Sequence, residues 1–242
     1  GGEPSRTPGQ FRRSQNWIGG SSPATARFVP PPQEEVSSAF GALERFLHED
    51  DRLSPLVKIG LAHAQFETIH PFLDGNGRIG RLLITLWLVE QEILRKPLLY
   101  LALHFKEHRD QYMERLQAIR DDGAWEEWLE FFLEGVAQVA ADATTRARKI
   151  LALREESRAN VMDHAGRGAR NALALLDFLF KQPVVTARLV GKVLDVSQPT
   201  SSALVARLSQ LGILQETTGQ RRNRSYAFAP YLELFPGANR RS

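Results

Sequence analysis

Twelve residues, His70-Pro71-Phe72-Leu73-Asp74-Gly75-Asn76-Gly77-Arg78-Ile79-Gly80-Arg81, constrain this chain more than any other stretch. They lie between two apolar runs of helical character, Leu56–Ile69 and Ile79–Leu94. A polar, glycine-rich loop between two largely buried helices is a poor use of core space unless the loop has a task. Gly75 and Gly77 allow positive φ and a close approach of the main chain to a ligand. The loop leads into a helix start, where unpaired N–H groups and the helix dipole favour an anion. Arg78 and Arg81 are three apart and project from one face of the first turn. Guanidinium forks match phosphate oxygens. Asp74 is a hard oxygen ligand beside that anion site, suited to Mg²⁺ on a nucleotide. His70 has the side chain suited to proton transfer near neutral pH. Taken singly, each of these residues is more often structural than catalytic. Their concentration in one loop with two glycines puts the functional reading ahead.

Two phosphate-binding alternatives fail on context. Gly75-Asn76-Gly77-Arg78-Ile79-Gly80 satisfies the G-x-G-x-x-G spacing, but that fingerprint needs a preceding strand and a βαβ unit. The preceding residues, Leu61-Ala62-His63-Ala64-Gln65-Phe66, are helical in pattern, and no alternation of strands and helices follows. No G-x-x-x-x-G-K-[ST] sequence occurs, so a P-loop is excluded.

The stretch resembles the signature of the Fic (filamentation induced by cAMP) family, H-P-F-x-[DE]-G-N-G-R-x-x-R, and matches it at every position. The resemblance implies a mainly α fold: a Fic-type helical bundle with a short β-hairpin flap. It also implies an activity, protein adenylyl transfer (AMPylation), in which AMP passes from Mg-ATP to a Ser, Thr or Tyr hydroxyl of a target protein and pyrophosphate leaves. By the same resemblance His70 is the general base and Asp74 holds Mg²⁺. Gly75, Asn76 and Gly77 form the anion cradle, Arg78 and Arg81 hold the β- and γ-phosphates, and Phe72 anchors the loop in the core. Gly-Asn-Gly-Arg stands here, without the lysine of the Doc-type kinases of the same superfamily, which favours nucleotidyl over phosphoryl transfer. The implied cofactors are ATP and Mg²⁺. The chemistry is sound on its own terms, since N–H groups, a metal ion and two arginines would stabilise charge on the leaving group.

Composition narrows the rest. With 242 residues, 43% apolar and 24% charged, the chain can form one large or two small domains. The absence of cysteine excludes a disulfide framework and thiol-based catalysis or zinc sites built on thiolates, and suits a reducing cytoplasm, the expected location. Every apolar run is interrupted by Arg, Glu or Gln, so no membrane partner is expected.

Along the chain, residues 1–32 read as an N-terminal edge followed by a flap hairpin, in which Trp17-Ile18 and Arg27-Phe28-Val29 flank a Gly-Gly-Ser-Ser turn. In the family reading Trp17, Ile18, Phe28 and Val29 dock an extended segment of the target protein along the strand edge. Residues 33–160 read as the helical catalytic domain. Amphipathic Gln33–Glu49 comes first, then Ser54–Ile69 delivering His70, then Gly77–Glu92, apolar nearly all round and expected at the bundle centre. A short segment starts at Pro97. A helix opening at His104 or Phe105 and ending near Arg120 carries Tyr112, the candidate to lie against adenine. Arg120 stands where family members place an adenine-contacting asparagine. Ala124–Arg158 carries an aromatic packing stripe, Trp125, Trp128, Phe131 and Phe132.

Residues 167–230 resemble a winged helix-turn-helix domain, with 231–242 as a tail. Helices are expected at Arg170–Lys181, Val184–Leu194 and Ser197–Leu211, and strand-like segments at Ile213–Glu216 and Ser225–Phe228. From Arg167 to Phe228 there are nine Lys/Arg against three Asp/Glu, while the whole chain is only +3. A DNA-binding reading places Gln198, Thr200, Ser201 and Ser202 toward the major groove and Arg221, Arg222 and Arg224 on phosphates. Docking of a protein partner is the alternative there, and a second copy of the chain is a further candidate partner. Two other functions stay open. One is removal of AMP from targets, alone or as a second activity. The other is a nucleotide-sensing DNA-binding regulator, against which the intact His70 argues. The family's inhibitory [ST]-x-x-x-E-[GN] pattern is not met, since Glu130 stands where Glu134-Gly135 would require Ser or Thr. That helix is therefore expected upstream, in a longer protein of which these residues are the C-terminal portion.

Overall fold

The computed structural model describes residues 9–49, 52–95, 100–164, 166–220 and 222–235. The N-terminal edge at 1–8, the segment expected from Pro97, Arg221 and the tail at 236–242 fall outside the described residues. The chain forms two compact units, residues 1–143 and 144–242. The boundary expected from the sequence, between residues 160 and 167, lies later in the chain.

The first unit is built around one helix. α1 spans Gln33–His48, α2 Pro55–Ile69, α3 Asn76–Glu90, α4 Leu101–Glu107, α5 Arg109–Asp122, and α6 Trp125–His164, which starts in this unit and continues into the next. α2 is apolar on almost every side and buries Ile59, Ala62, Ala64, Phe66 and Ile69. Pro55 opens it, where the missing N–H costs nothing. Two glycines bring its neighbours close. A Cβ on Gly60 would lie 2.9 Å from the Phe132 ring of α6, and one on Gly80 would lie 2.6 Å from Glu67 Oε1. Side chains of α2 therefore pack directly on the backbone of α3 at Gly80, and side chains of α6 pack directly on the backbone of α2 at Gly60.

The aromatic stripe of α6 packs as expected. Trp128 and Phe132 are fully buried, and Trp128 donates its indole N–H to Gly60 O at 2.9 Å. α3 departs from its reading. It buries Gly80, Ile84, Trp87 and Leu88 against the core, but leaves Ile79, Leu82 and Leu86 exposed. The spacing explains this, because positions 79, 82 and 86 form one stripe and only the opposite stripe meets α2. The helix expected from His104 or Phe105 begins at Leu101 and is two helices, α4 and α5, meeting at His108. The expected flap hairpin is a single antiparallel bridge, Ile18 to Phe28, closed by Ile18 N–H to Phe28 O at 2.9 Å and Arg27 N–H to Ile18 O at 2.9 Å. A 3₁₀ turn at Pro23–Thr25 fills the connection.

The second unit contains α7 (Ala169–Leu179), β1 (Val184–Thr186), α8 (Ala187–Leu194), α9 (Gln198–Gln210), β2 (Gln215–Glu216), β3 (Ser225–Ala227) and α10 (Ala229–Leu232). The helix expected from Val184 begins three residues later. Val184–Thr186 instead pairs antiparallel with Ser225–Ala227, and the sheet order is β1-β3-β2. Thr186 and Ser197 cap the two following helices, accepting from the N–H groups of Leu189 at 3.2 Å and Thr200 at 3.4 Å. Leu175, Leu176, Leu179, Val190, Leu208 and Phe228 form the core with Val161 of α6. Among the described residues no helix is long and apolar enough to cross a membrane.

All four tryptophans, Trp17, Trp87, Trp125 and Trp128, belong to the first unit, so tryptophan emission reports on it alone. Trp128→Ala is expected to cost about 3–5 kcal/mol of that unit's stability. Denaturant unfolding followed by the emission of the other three tryptophans measures it.

Candidate active site

His70 ends α2. Its N–H still bonds to Phe66 O at 3.0 Å, and its backbone turns left-handed at φ 48°. A non-glycine residue there carries a cost of about 1–2 kcal/mol, so the surroundings must hold it. The loop then closes through the side chain of Asn76, which accepts from Phe72 N–H at 2.9 Å and donates to Phe72 O at 2.6 Å. Asn76 is 2% exposed, and both ends of its amide take part in this closure. Phe72 is half-buried and packs against the rings of Phe11 and Phe66, at 5.9 and 6.4 Å between centroids.

The two glycines of the loop act differently. Gly75 takes φ 87° and caps α3, a conformation that favours glycine. Gly77 lies inside the first turn with no positive φ. Its missing Cβ makes room for Arg81, whose Nη1 is 3.1 Å from where a Cβ would stand. Arg78 and Ile79 are the first residues to donate to Gly75 O, at 3.0 Å each, so the N–H groups of Asn76 and Gly77 precede the ladder of the helix.

A cavity of about 540 Å³ opens over this turn. It gathers four of the expected residues, His70, Gly77, Arg81 and Tyr112, together with Glu67, Lys106, Arg109 and Arg120. Ile18 of the flap segment also lines it. Asp74, Gly75, Asn76 and Arg78 do not. Asp74 and Arg78 lie on the exposed side, 3.9 Å apart. A second cavity of about 490 Å³ lies between α1, α2 and α6, but it is lined by Ala, Leu, Phe, Gln and Trp side chains without a titratable group. The first cavity is the chemical one.

Burial pushes the His70 imidazole down from 6.5 to about 4, and the guanidiniums of Arg120 and Arg12 add to the effect. At neutral pH His70 is therefore an uncharged base. Tyr112 is only 7% exposed and its hydroxyl pairs with Nε2 of the buried His63 at 3.0 Å. It forms part of the cavity wall and is tied into the core as well. His63 is likewise held neutral, at about 4, by desolvation.

Glu67 and Arg120 are not among the site residues expected from the sequence, yet both line the cavity. Glu67 is 6% exposed, and its Oε1 has no hydrogen-bond partner. A carboxylate in a largely buried helix, one turn before His70, is the available signal. Arg120 donates to Thr68 Oγ1 and Glu67 O, both at 3.3 Å, and lies 3.6 Å over the Phe28 ring. It lines the cavity and carries its charge beneath the flap. Burial lowers it to about 10, leaving it protonated at neutral pH.

The flap segment alternates. Ile18 lines the cavity and Phe28 lies under Arg120, while Trp17 and Val29 are 40% and 42% exposed. Of the four residues assigned to target docking, Trp17 and Val29 are the two that face outward. In the second unit Gln198, Thr200, Ser202, Arg222 and Arg224 are exposed. Ser201 is corrected: it is fully buried, and its hydroxyl donates to Gln198 O at 3.0 Å. It falls on the inner stripe of α9, in van der Waals reach of Gly191.

Mg²⁺ can be tested against these residues. Among the described residues no cluster of three His, Asp or Glu side chains could cage a metal. Mg²⁺ usually keeps several waters and takes one or two carboxylates plus substrate phosphates, so a single exposed Asp74 beside the helix start fits it.

Residues 2–88 match the Fic/DOC family model. A probable protein adenylyltransferase of Aquifex aeolicus is 37% identical over 87 residues, 36% of this chain and 26% of the relative. The protein adenylyltransferase Fic of Drosophila yakuba is 38% identical over 78 residues, 31% of this chain and 14% of the relative. The chain thus spans about a quarter or less of the curated relatives it matches. A crystal structure of a Fic family protein from Desulfovibrio desulfuricans G20 superposes with a TM-score of 0.50 and 20% identity, covering 90% of this chain and 62% of that one. That likeness bears on the fold alone. The Fic/DOC match contains the whole twelve-residue turn together with the flap, α1 and α2.

Glu67 gives a pH-dependent prediction. Burial raises its carboxyl from 4.5 to about 7, against the opposing pull of Arg81 and Arg120. Between those values the folded chain holds a proton that the unfolded chain has released. Its stabilising share is therefore full below the unfolded value and is lost as pH rises through the folded one. Glu67→Gln mimics the protonated form. It is expected to melt near wild type at about pH 5 and above wild type at about pH 8. A melting-temperature difference that shrinks with rising pH would contradict this.

Proposed function

We propose that this chain is a protein adenylyltransferase that moves AMP from ATP to a Ser, Thr or Tyr hydroxyl of a target protein. The observation that carries the reading is one cavity. It contains a neutral histidine at the end of α2, the anion-favouring start of α3 at Gly77, and Arg81. In this reaction the target oxygen attacks the α-phosphorus, the bond to the β-phosphate oxygen breaks, and pyrophosphate leaves. His70 takes the hydroxyl proton on its imidazole. The N–H groups at the start of α3 and the guanidinium of Arg81 stabilise charge on the phosphates, joined by Arg78 when it turns from Asp74. Asp74 is the residue that would hold Mg²⁺, which supplies charge neutralisation on the leaving pyrophosphate. Tyr112, with Phe105 and Met113 on the cavity wall, offers the apolar surface for the base. The activity for which the Aquifex and Drosophila relatives are named supports the reading over the matched region.

Label transfer tests it. ATP labelled at the α-phosphate is expected to label the protein or a target, and ATP labelled at the γ-phosphate is not. His70→Ala should lower the rate by about 10²–10⁴-fold, the usual share of a general base. The wild-type rate should hold its plateau down through the ordinary histidine range, with the His70 limb near 4. Label from the γ-phosphate would mean a kinase.

We infer further that residues 169–228 form a winged helix that docks on nucleic acid. The support is the α7, β1, α8, α9, β2, β3 order, the capped start of α9 and the local excess of Lys and Arg. Binding to duplex DNA should weaken linearly with the logarithm of salt concentration. Absence of binding at low salt would favour a protein partner.

A further inference from the structure

Two arginines outside the recognised turn bracket His70. Arg120 lines the cavity, whereas Arg12 is buried beneath the segment that crosses the turn and is 3% exposed. A guanidinium so deeply buried must be met by acceptors. Its acceptors are main-chain carbonyls. Nε donates to His70 O at 3.0 Å, Nη1 to Ser14 O at 3.5 Å, and Nη2 to Pro31 O. The N–H of Arg12 also donates to Pro71 O at 2.8 Å. One residue thereby joins the outgoing leg of the flap segment, its return leg at Pro31, the left-handed His70 and the following Pro71. Asn16 adds a neighbouring stitch, Nδ2 to Phe72 O at 3.1 Å.

We propose that Arg12 is a positioning residue for proton transfer at His70: its guanidinium fixes the His70 carbonyl, and with it the left-handed turn, while fastening both legs of the flap over that turn. The proposal rests on the adenylyl-transfer reading only for what the proton transfer serves. Three features set Arg12 apart from an ordinary buried arginine. Its bonds converge on a left-handed backbone conformation that is costly for a non-glycine residue. They bind the flap to the base directly, so that flap and base move together. And its positive charge adds, after burial and Arg120, to what disfavours the imidazolium form of His70. The other charged groups around His70 are Glu67 on α2, Arg81 on α3 and Arg120 on α5, and Glu34 on α1 favours the charge of Arg12 itself.

The test uses the full chain with Arg12→Gln and Arg12→Lys. Gln removes the charge and two of the three carbonyl bonds. Lys keeps the charge but offers one compact head for a three-way fork. The imidazole of His70 is titrated by NMR and assigned from the signal lost in His70→Ala, and kcat and KM for Mg-ATP are measured in parallel. The expected result for Arg12→Gln is a His70 titration raised slightly above about 4, with burial and Arg120 still holding it below 6.5, and kcat lower by about ten- to a hundredfold with KM little changed. Arg12→Lys should leave the titration low and still lose kcat, which separates charge from geometry. If both variants merely melt earlier, with the His70 titration and the kcat-to-KM pattern as in wild type, the role is structural and the proposal is overturned. Should Arg12→Gln fail to fold, the kcat of Arg12→Lys decides. Should the wild type transfer no label, the adenylyl-transfer reading falls, while the His70 titration in the variants still decides the role of Arg12.

Discussion

The close crossing of α2 and α3 is the constraint on which the first unit depends. Two helices joined by a six-residue connection can pack side by side only if the turn is sharp and the facing side chains are small. Gly80 meets the second condition, since any side chain there would run into Glu67, His63 and Phe66. The left-handed turn at His70, the left-handed Gly75 and the Asn76 amide clasp meet the first. The same geometry places the last residue of one helix beside the first turn of the next. A histidine and a set of unpaired N–H groups then share one opening. Fold and chemistry are here the same arrangement.

That opening carries an unbalanced charge. Arg81, Arg109, Arg120 and Lys106 line it, and Glu67 is the carboxylate among its walls. Desolvation acts on each buried group in the direction that removes charge: His70 and His63 stay neutral, and Glu67 favours its proton. When Glu67 takes its proton the cavity becomes more cationic still. An anion entering it gains from groups already in place, without drawing them out of water during the reaction. A polyphosphate suits such a cavity far better than a neutral ligand does.

Much of the turn was legible in the residues, because its chemistry is local. Glycine at position 75, a histidine at a helix end and arginines three apart imply a conformation and a face from sequence spacing alone. Some assignments nonetheless changed. Gly77 serves by making room for Arg81 rather than by taking positive φ. The Asn76 side chain is a clasp, and Ser201 is buried. In each case a neighbour that is adjacent in space decided the role. α3 shows the same limit, for its apolar residues nearly encircle it, and only the position of α2 settles which stripe is covered.

The sequence by itself determined that α2, α3 and α6 are helices and that a glycine-rich turn joins α2 to α3, because propensity, periodicity and spacing act over a few residues. The tertiary structure alone decided which other groups reach the turn. Arg12 lies 58 residues from His70 in the chain, and Arg120 lies 52 residues from Thr68, yet both end in hydrogen bonds around the same histidine. No local pattern encodes such meetings. They follow from packing the helices into one core, where a buried guanidinium must find oxygens and the carbonyls of a sharp turn are the ones within reach.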